Sequence, residues 1–376
     1  MPLDLSAIPL IDQHCHSLLR VQPRGEQEFR ACFTESYYPE IAREHVPHTI
    51  FYQWALRALA EFFGCDPRAE AILEKRNGLP LQALIRRIVE EANLRACLVD
   101  YGYSTPHTFG HDELAPLVSC RVEKILRLEP LIERLIVESP NFPTLQDAYV
   151  QALIGLRGQG FVSLKSIMAY RVGLQIRETS RAEVEAEFAP LKERAQRERS
   201  LRIASKPMLD FLIMTALEQA HAQEFPIQFH TGFGDPDQDL AKVNPAFLRP
   251  ILHSDKYRGA KIVLLHAAYP YVRTLGYLAA VYPNVYADFG LAIPFVAGDA
   301  HAILRELLGL APASKVLYSS DAFNLPELYW LGAQLARRSL AAVLEEFIKG
   351  DLIQRDAVEP MAEMILWRNA ERLYLQ

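Results

Sequence analysis

Eight short apolar runs recur along the chain, with helically spaced segments between them. The runs are Ala7–Asp12, Ala96–Asp100, Val122–Glu129, Phe161–Lys165, Pro226–His230, Lys261–His266, Asn284–Asp288 and Lys315–Asp321. Each is about as long as a buried strand and too short for a buried helix. Between them, Pro207–Gln223, Tyr269–Val281 and Ala300–Leu308 place apolar residues at helical spacing. Strands alternating with helices predict βα units around a parallel sheet, and eight such units is the number that closes a barrel. The expected fold is therefore α/β, a (β/α)8 TIM barrel, with residues 1–376 forming one domain.

Three stretches fall outside this rhythm. Residues 35–93 are too many for a connection and predict an inserted helical subdomain after the first strand. Arg181–Arg199 reads as a charged helix that lengthens the link between strands four and five. The tail from Pro326 to Leu375 reads as extra helices packed outside the barrel. The aromatic residues Tyr37, Tyr38, Phe51, Tyr52 and Trp54 are expected to form a helical core in the insertion, which could act as a lid if it lies over the barrel mouth.

Composition excludes several functions. The chain is 50% hydrophobic and 23% charged, with a net charge of -6, so no basic surface favours nucleic acid or membrane. No apolar run approaches the ~20 residues needed to span a bilayer, and the start lacks the features of a signal peptide. Its five cysteines, Cys15, Cys32, Cys65, Cys97 and Cys120, contain no CxxC pair and predict reduced thiols. A soluble cytoplasmic protein is expected, acting on a small molecule as an assembly of identical subunits, with no nucleic-acid or membrane partner.

In such a barrel the C-terminal strand ends line the active site. Here those ends carry His14 and His16, Lys165, His230, His266 and Asp321. Residues i and i+2 of a strand share a face, so His14 and His16 aim two imidazoles at one point while Cys15 faces away. Neutral imidazole and carboxylate suit Zn²⁺, and they also suit Mn²⁺ or Fe²⁺. A divalent metal of this kind lowers the pKa of bound water to ~7, and Asp321 could carry the released proton to a leaving group. Lysine as an ammonium ion has no lone pair for a metal. Lys165 serves as a ligand only if neutralised, one route being reaction with CO₂ to a carbamate that bridges two ions. Otherwise it could bind a substrate carboxylate or sit in the core paired to a neighbouring acid.

Further candidates for substrate contact follow from the same placement. They are Arg127 and Glu129 after strand three, Tyr170 and Arg171 after Lys165, and His107 in the loop after strand two. Asp288 ends strand seven. An arginine at such a point can clamp a carboxylate through two hydrogen bonds, and an internal salt bridge at the rim is the alternative. Gly232 and Gly234 read as turn makers that let the backbone leave His230 sharply. His45, His48, His221, His253 and His301 read as structural.

The order HisXHis, Lys, His, His, Asp over strands one, four, five, six and eight resembles the amidohydrolase superfamily over almost the whole chain. The stretches Gly160–Leu174, Pro226–Asp235, Ile262–Pro270, Leu317–Ala322 and Asn369–Tyr374 resemble in particular the amidohydrolase-like domain of FluG-type proteins, where it is fused to a glutamine-synthetase-like half. No synthetase-like stretch is expected within these 376 residues. The resemblance implies that His14, His16 and Asp321 hold the more buried metal and that His230 and His266 hold a second. A carbamylated Lys165 would bridge them. It also implies a hydrolase of amide C–N bonds, with γ-glutamyl amides as one substrate class. Related barrels decarboxylate or isomerise uronates, so those activities stand as alternatives, as does a non-catalytic metal-binding regulator.

Overall fold

The computed structural model describes residues 3–103 and 106–376. Eight parallel strands run in chain order: β1 (Leu10–Cys15), β2 (Leu94–Asp100), β3 (Arg121–Arg127), β4 (Phe161–Ser166), β5 (Pro226–Phe229), β6 (Lys261–Leu264), β7 (Val285–Asp288) and β8 (Val316–Leu317). The backbone beyond β8 then bonds to β1 and closes the ring. Gln13 N donates to Tyr318 O at 3.3 Å, Asp321 N to His14 O at 3.0 Å and His16 N to Ala322 O at 2.8 Å. The fold is the expected (β/α)8 barrel.

Most strands are rich in buried apolar residues because helices cover one face and the barrel interior covers the other, while β3, with Arg121, Glu123, Lys124 and Arg127, is only partly buried. Ile11, Ala96, Leu98, Ile125, Val162, Val263, Leu265 and Leu317 meet in one cluster. Side chains from six strands can meet only on the barrel axis, so this cluster is the interior filling. The outer layer includes the predicted helices at Lys206–Ala222, Val272–Val281 and Ala300–Leu308. The charged helix Arg181–Glu198 starts where Ser180 and Glu183 form a reciprocal cap.

The tail departs from expectation at its end. The helix Pro326–Lys349 packs outside the barrel, but Ala370, Leu373 and Tyr374 belong to the axial cluster. Arg157 Nη1, just before β4, donates to Tyr374 O at 3.3 Å. The last turn therefore plugs the barrel at the N-terminal ends of the strands. Tyr374 Oη donates to Gln13 Oε1 at 2.7 Å and accepts from Gln228 Nε2 at 3.1 Å. Among the described residues no helix is long and apolar enough to cross a membrane.

Between β1 and β2 the chain forms helices, the longest being Ile50–Phe63, Ala69–Asn77 and Leu81–Glu91. They are fastened to the tail helix by a buried ion pair, Arg76 with Glu327. The same guanidinium donates to Pro23 O at 2.9 Å and Gln22 Oε1 at 2.7 Å. Removing one partner of such a pair strands the other charge away from water. Glu327→Ala is expected to lower stability by about 3–5 kcal/mol, measured by chemical denaturation. Arg76→Met with Glu327→Leu is expected to recover most of that loss.

Candidate metal centre

The strand ends converge on one cavity of about 850 Å³. It is lined at its base by His14, His16, Lys165, His230, His266 and Asp321. The first strand starts and ends three residues later than its apolar run, reaching Cys15, because β2 and the segment after β8 pair with it on both sides. His14 and His16 share a face as the period of two requires, with ring centroids 5.2 Å apart. Cys15 points away and its Sγ donates to Leu98 O at 3.4 Å.

Hydrogen bonds fix which ring nitrogens face the centre. His14 Nδ1 lies 2.9 Å from Gln228 Oε1, and His16 Nδ1 lies 3.1 Å from Asp100 O. Both partners are acceptors, so each Nδ1 carries the hydrogen and each Nε2 keeps a lone pair. Asp321 Oδ1 sits 3.2 Å from His14 Nε2 and 3.3 Å from His16 Nε2. The donor atoms of these three residues all lie within 4.8 Å of one another. His230 and His266 complete the cluster with ring centroids 4.5 Å apart, and His266 Nδ1 is 3.7 Å from Asp321 Oδ2.

Donor chemistry tests whether a cation fits here. His230 Nε2, His266 Nδ1 and Asp321 Oδ1 are buried and make no hydrogen bond, a costly state for polar atoms unless something coordinates them. Burial, with Lys165 nearby, depresses His14 to about 4. Burial likewise holds His230 and His266 well below the usual imidazole range. Neutral rings offer lone pairs. Burial pushes the Asp321 carboxyl up, while His266, His14 and His16, where they present a proton to it, hold it well below the usual carboxylate range; a cation among neutral rings would take that proton's place. Neutral imidazoles around one carboxylate are a donor set for a borderline divalent ion.

Lys165 is buried, with Nζ 3.1 Å from His14 Nε2. Burial lowers its pKa to about 8, with Asp100 and Asp321 opposing. Among the described residues no carboxylate lies within ion-pair distance of it, so the expectation of a core lysine paired to an acid is not met.

Buried acids hold this arrangement from below. Asp12 accepts from Ser320 N at 2.9 Å and from Ser320 Oγ, fixing the turn that presents Asp321. Asp288 accepts from His266 N at 2.7 Å, Gly290 N at 3.1 Å, Ser319 Oγ at 2.6 Å and Gln13 Nε2 at 3.0 Å. Burial raises Asp12 to about 7 and Asp288 to about 6 despite these donors.

Of the candidates for substrate contact, Arg127, Tyr170 and Arg171 line the cavity. Arg127 is tied by Nε at 2.9 Å and Nη2 at 2.7 Å to Asp100 Oδ2. The Tyr170 ring lies 4.3 Å from that of His230. Glu129 and His107 are placed otherwise. β3 ends at Arg127, so Glu129 falls in the first turn of the helix Leu128–Glu138. There it is buried and accepts from Ser166 Oγ at 2.7 Å and Ile167 N at 2.9 Å, bracing the segment after Lys165. His107 is exposed and outside the cavity lining. Ser104 and Thr105 of its loop lie outside the described residues.

Glu35, Tyr103, Asp235 and Arg202 also line the cavity and went unrecognised in the sequence. Asp235 had a signal, an acid directly after the turn glycines that follow His230. Gly232 has φ +72°, and a Cβ there would stand 2.5 Å from Ala268 C and from Tyr269 O. A Cβ on Gly234 would stand 1.9 Å from Tyr170 Oη. Glu35 had no signal, because the residues around it read as helical scaffold. They form an irregular segment over the mouth, from which Tyr37 Oη donates to Asp237 Oδ1 at 3.1 Å. The aromatic cluster is thus divided. Phe51 and Tyr52 are core, while Tyr37 and Tyr38 line the cavity.

Comparison with known proteins decides the lineage of this site. Residues 177–375 match the amidohydrolase family model. The chain belongs to the amidohydrolase family. A protein of Lactobacillus casei, crystallised as a candidate metal-dependent hydrolase, is 31% identical and superposes with a TM-score of 0.89, covering 100% of this chain and 98% of that one. Protein fluG of Emericella nidulans is 29% identical over 401 aligned positions, covering 97% of this amidohydrolase. The chain spans 45% of the fluG length. A uronate isomerase of Thermotoga maritima shares the fold, with a TM-score of 0.68 at 13% identity over 98% of this chain and 95% of that one.

The Gln228–His14 bond gives a direct test. Gln228→Leu removes the acceptor that fixes the ring and is expected to weaken metal affinity about 10- to 100-fold, measured by chelator competition.

Proposed function

We propose that this amidohydrolase cleaves an amide C–N bond of a small molecule, with Asp321 moving the proton. The observation that carries this reading is the Asp321 carboxylate set against the two fixed Nε2 atoms, at 3.2 and 3.3 Å, in the floor of an 850 Å³ cavity. His14, His16 and Asp321 would hold a divalent cation, with His230 and His266 placed to hold a second. Such a cation, Zn²⁺ by donor type, polarises a carbonyl and brings water within reach of deprotonation near neutral pH.

The chain's own residues supply the rest. Asp321 is kept ionised, so it can accept a proton from water and return it to the departing nitrogen. The Arg127 guanidinium, held on Asp100, borders the same space and can donate to a developing oxyanion. Lys165 has two roles open to it. Its amine can add to CO₂, losing a proton and forming the carbamate that the family resemblance implies. As an ammonium it can instead donate to a substrate carboxylate. γ-Glutamyl amides are the substrate class that the likeness to FluG-type proteins favours.

A second reading is isomerisation or decarboxylation of an acidic sugar or related acid on the same floor. It is favoured by the cationic groups bordering the cavity, Arg127, Arg171 and Arg202.

Metal analysis and an activity panel test these readings together. Chelation is expected to abolish amide hydrolysis, and Zn²⁺ or Mn²⁺ to restore it. Asp321→Asn is expected to lower kcat about 100- to 10,000-fold. Aldose–ketose interconversion or CO₂ release without amide turnover would move the assignment to the second reading. Full metal loading with no turnover of any kind would leave a binding protein.

A further inference from the structure

We propose that the cavity above the metal centre is built for the zwitterionic head of an α-amino acid, whose side-chain amide is the bond cleaved. Its ammonium would lie against Glu35 and Asp235, and its carboxylate against Arg171. This rests on the hydrolase reading above and adds to it the residues that would recognise the head group.

The inference comes from which charges around the cavity are already satisfied. Asp100 already engages Arg127 through Nε and Nη2, and Asp237 Oδ2 engages Arg202 Nη2 at 2.7 Å, so neither guanidinium lacks a counter-charge. Apart from Lys165 on the floor, two carboxylates have no cation partner among the described residues and one guanidinium is only loosely paired. Glu35 makes no side-chain hydrogen bond or ion pair among the described residues, and it is half-buried at the cavity wall. The Asp235 carboxylate accepts only from Asp237 N at 2.9 Å, with no cation in ion-pair range among the described residues. Arg171 has a side chain only 12% exposed, its Nε is buried without a partner, and its Nη2 reaches Glu133 only at 3.7 Å.

Unpaired or loosely paired charges in a partly desolvated wall are costly, and groups of both signs are in that state around one cavity. A ligand with one charge would satisfy one side and leave the other, whereas a zwitterion satisfies both.

Placement agrees. Tyr170 stacks on His230 and its hydroxyl packs against Gly234, so Asp235 follows directly on from the wall of the metal centre. Arg171 follows Tyr170 in the chain. The head group would therefore sit one side chain away from the reacting carbonyl, which suits a side-chain amide of aspartate or glutamate.

The test uses the metal-loaded full chain with the γ-ethylamide of L-glutamate, the β-ethylamide of L-aspartate, and their analogues lacking the amino group or carrying an α-methyl ester. Calorimetry with L-glutamate, L-aspartate, glutarate and succinate gives binding independent of turnover. One of the two zwitterionic amides is expected to exceed both its analogues in kcat/KM by about 100-fold, with its product acid binding in the same order. Glu35→Gln should erase the preference for the amino group and leave that for the free carboxylate. Arg171→Gln should do the reverse, and Arg171→Lys should recover part of it.

Analogues within about threefold of the zwitterion, variants that weaken all probes equally, or no binding of either amino acid at millimolar concentration would overturn the proposal. If amides are cleaved without regard to charge, this inference fails and the hydrolase reading stands. If the amino acids bind as expected but no amide is cleaved, the hydrolase reading fails and the head-group site stands.

Discussion

Backbone hydrogen bonds between the first strand and the segment beyond the last place Asp321 beside His14 and His16. Asp321 N donates to His14 O, and His16 N donates to Ala322 O. These are ordinary ladder bonds, yet they join the two ends of a barrel wound through six intervening strands. Every other strand contributes to the centre only because this seam is closed. An open sheet would leave the carboxylate and the HisXHis pair on opposite edges. The metal centre is in this sense a consequence of barrel closure, and the order of strand ends around the ring decides which donors become neighbours.

Closure alone would leave the donors free to rotate, and the polar floor prevents that. Gln228 accepts from His14 through Oε1 and donates through Nε2 to Gln13 and Tyr374, while Gln13 donates on to Asp288. Asp288 then holds the His266 backbone and Ser319, one strand further on. The network links β1, β5, β7 and the residues after β6 and β8 with few unmet groups, which is the condition under which buried polarity rigidifies rather than destabilises. Tyr374 closes it from beneath. The last turn of the chain is therefore part of what orients His14.

Much of this was legible in the sequence because it depends on short-range pattern. Apolar runs of strand length fixed the barrel, and the rule that strand ends face the cavity singled out the six residues at its base. What escaped depends on longer-range geometry. Glu129 looked like a strand-end acid, but β3 stops two residues earlier and the carboxylate turns inward to cap Ile167 N. The tail's periodicity shows an apolar face without showing that its last residues enter the barrel axis. Glu35 carries no pattern, since its position over the mouth is set by how the segment after β1 folds back toward Asp237.

Backbone conformation gives independent weight to the same residues. His266, Ala267 and Ala268 have φ of 67°, 53° and 47°, and Asp321 has φ 53°. Left-handed conformations cost a non-glycine residue on the order of 1–3 kcal/mol each and persist only where surrounding structure over-determines them. Here the determinants are named. Asp288 grips His266 N, Asp12 grips the residue before Asp321, and Gly232 lets the neighbouring loop pass within contact of Ala268 and Tyr269. A chain selected for stability alone would relax these turns. Their retention at two of the donor residues, supported by two buried acids that themselves resist ionisation, is the arrangement expected where geometry at a reacting centre outweighs local stability.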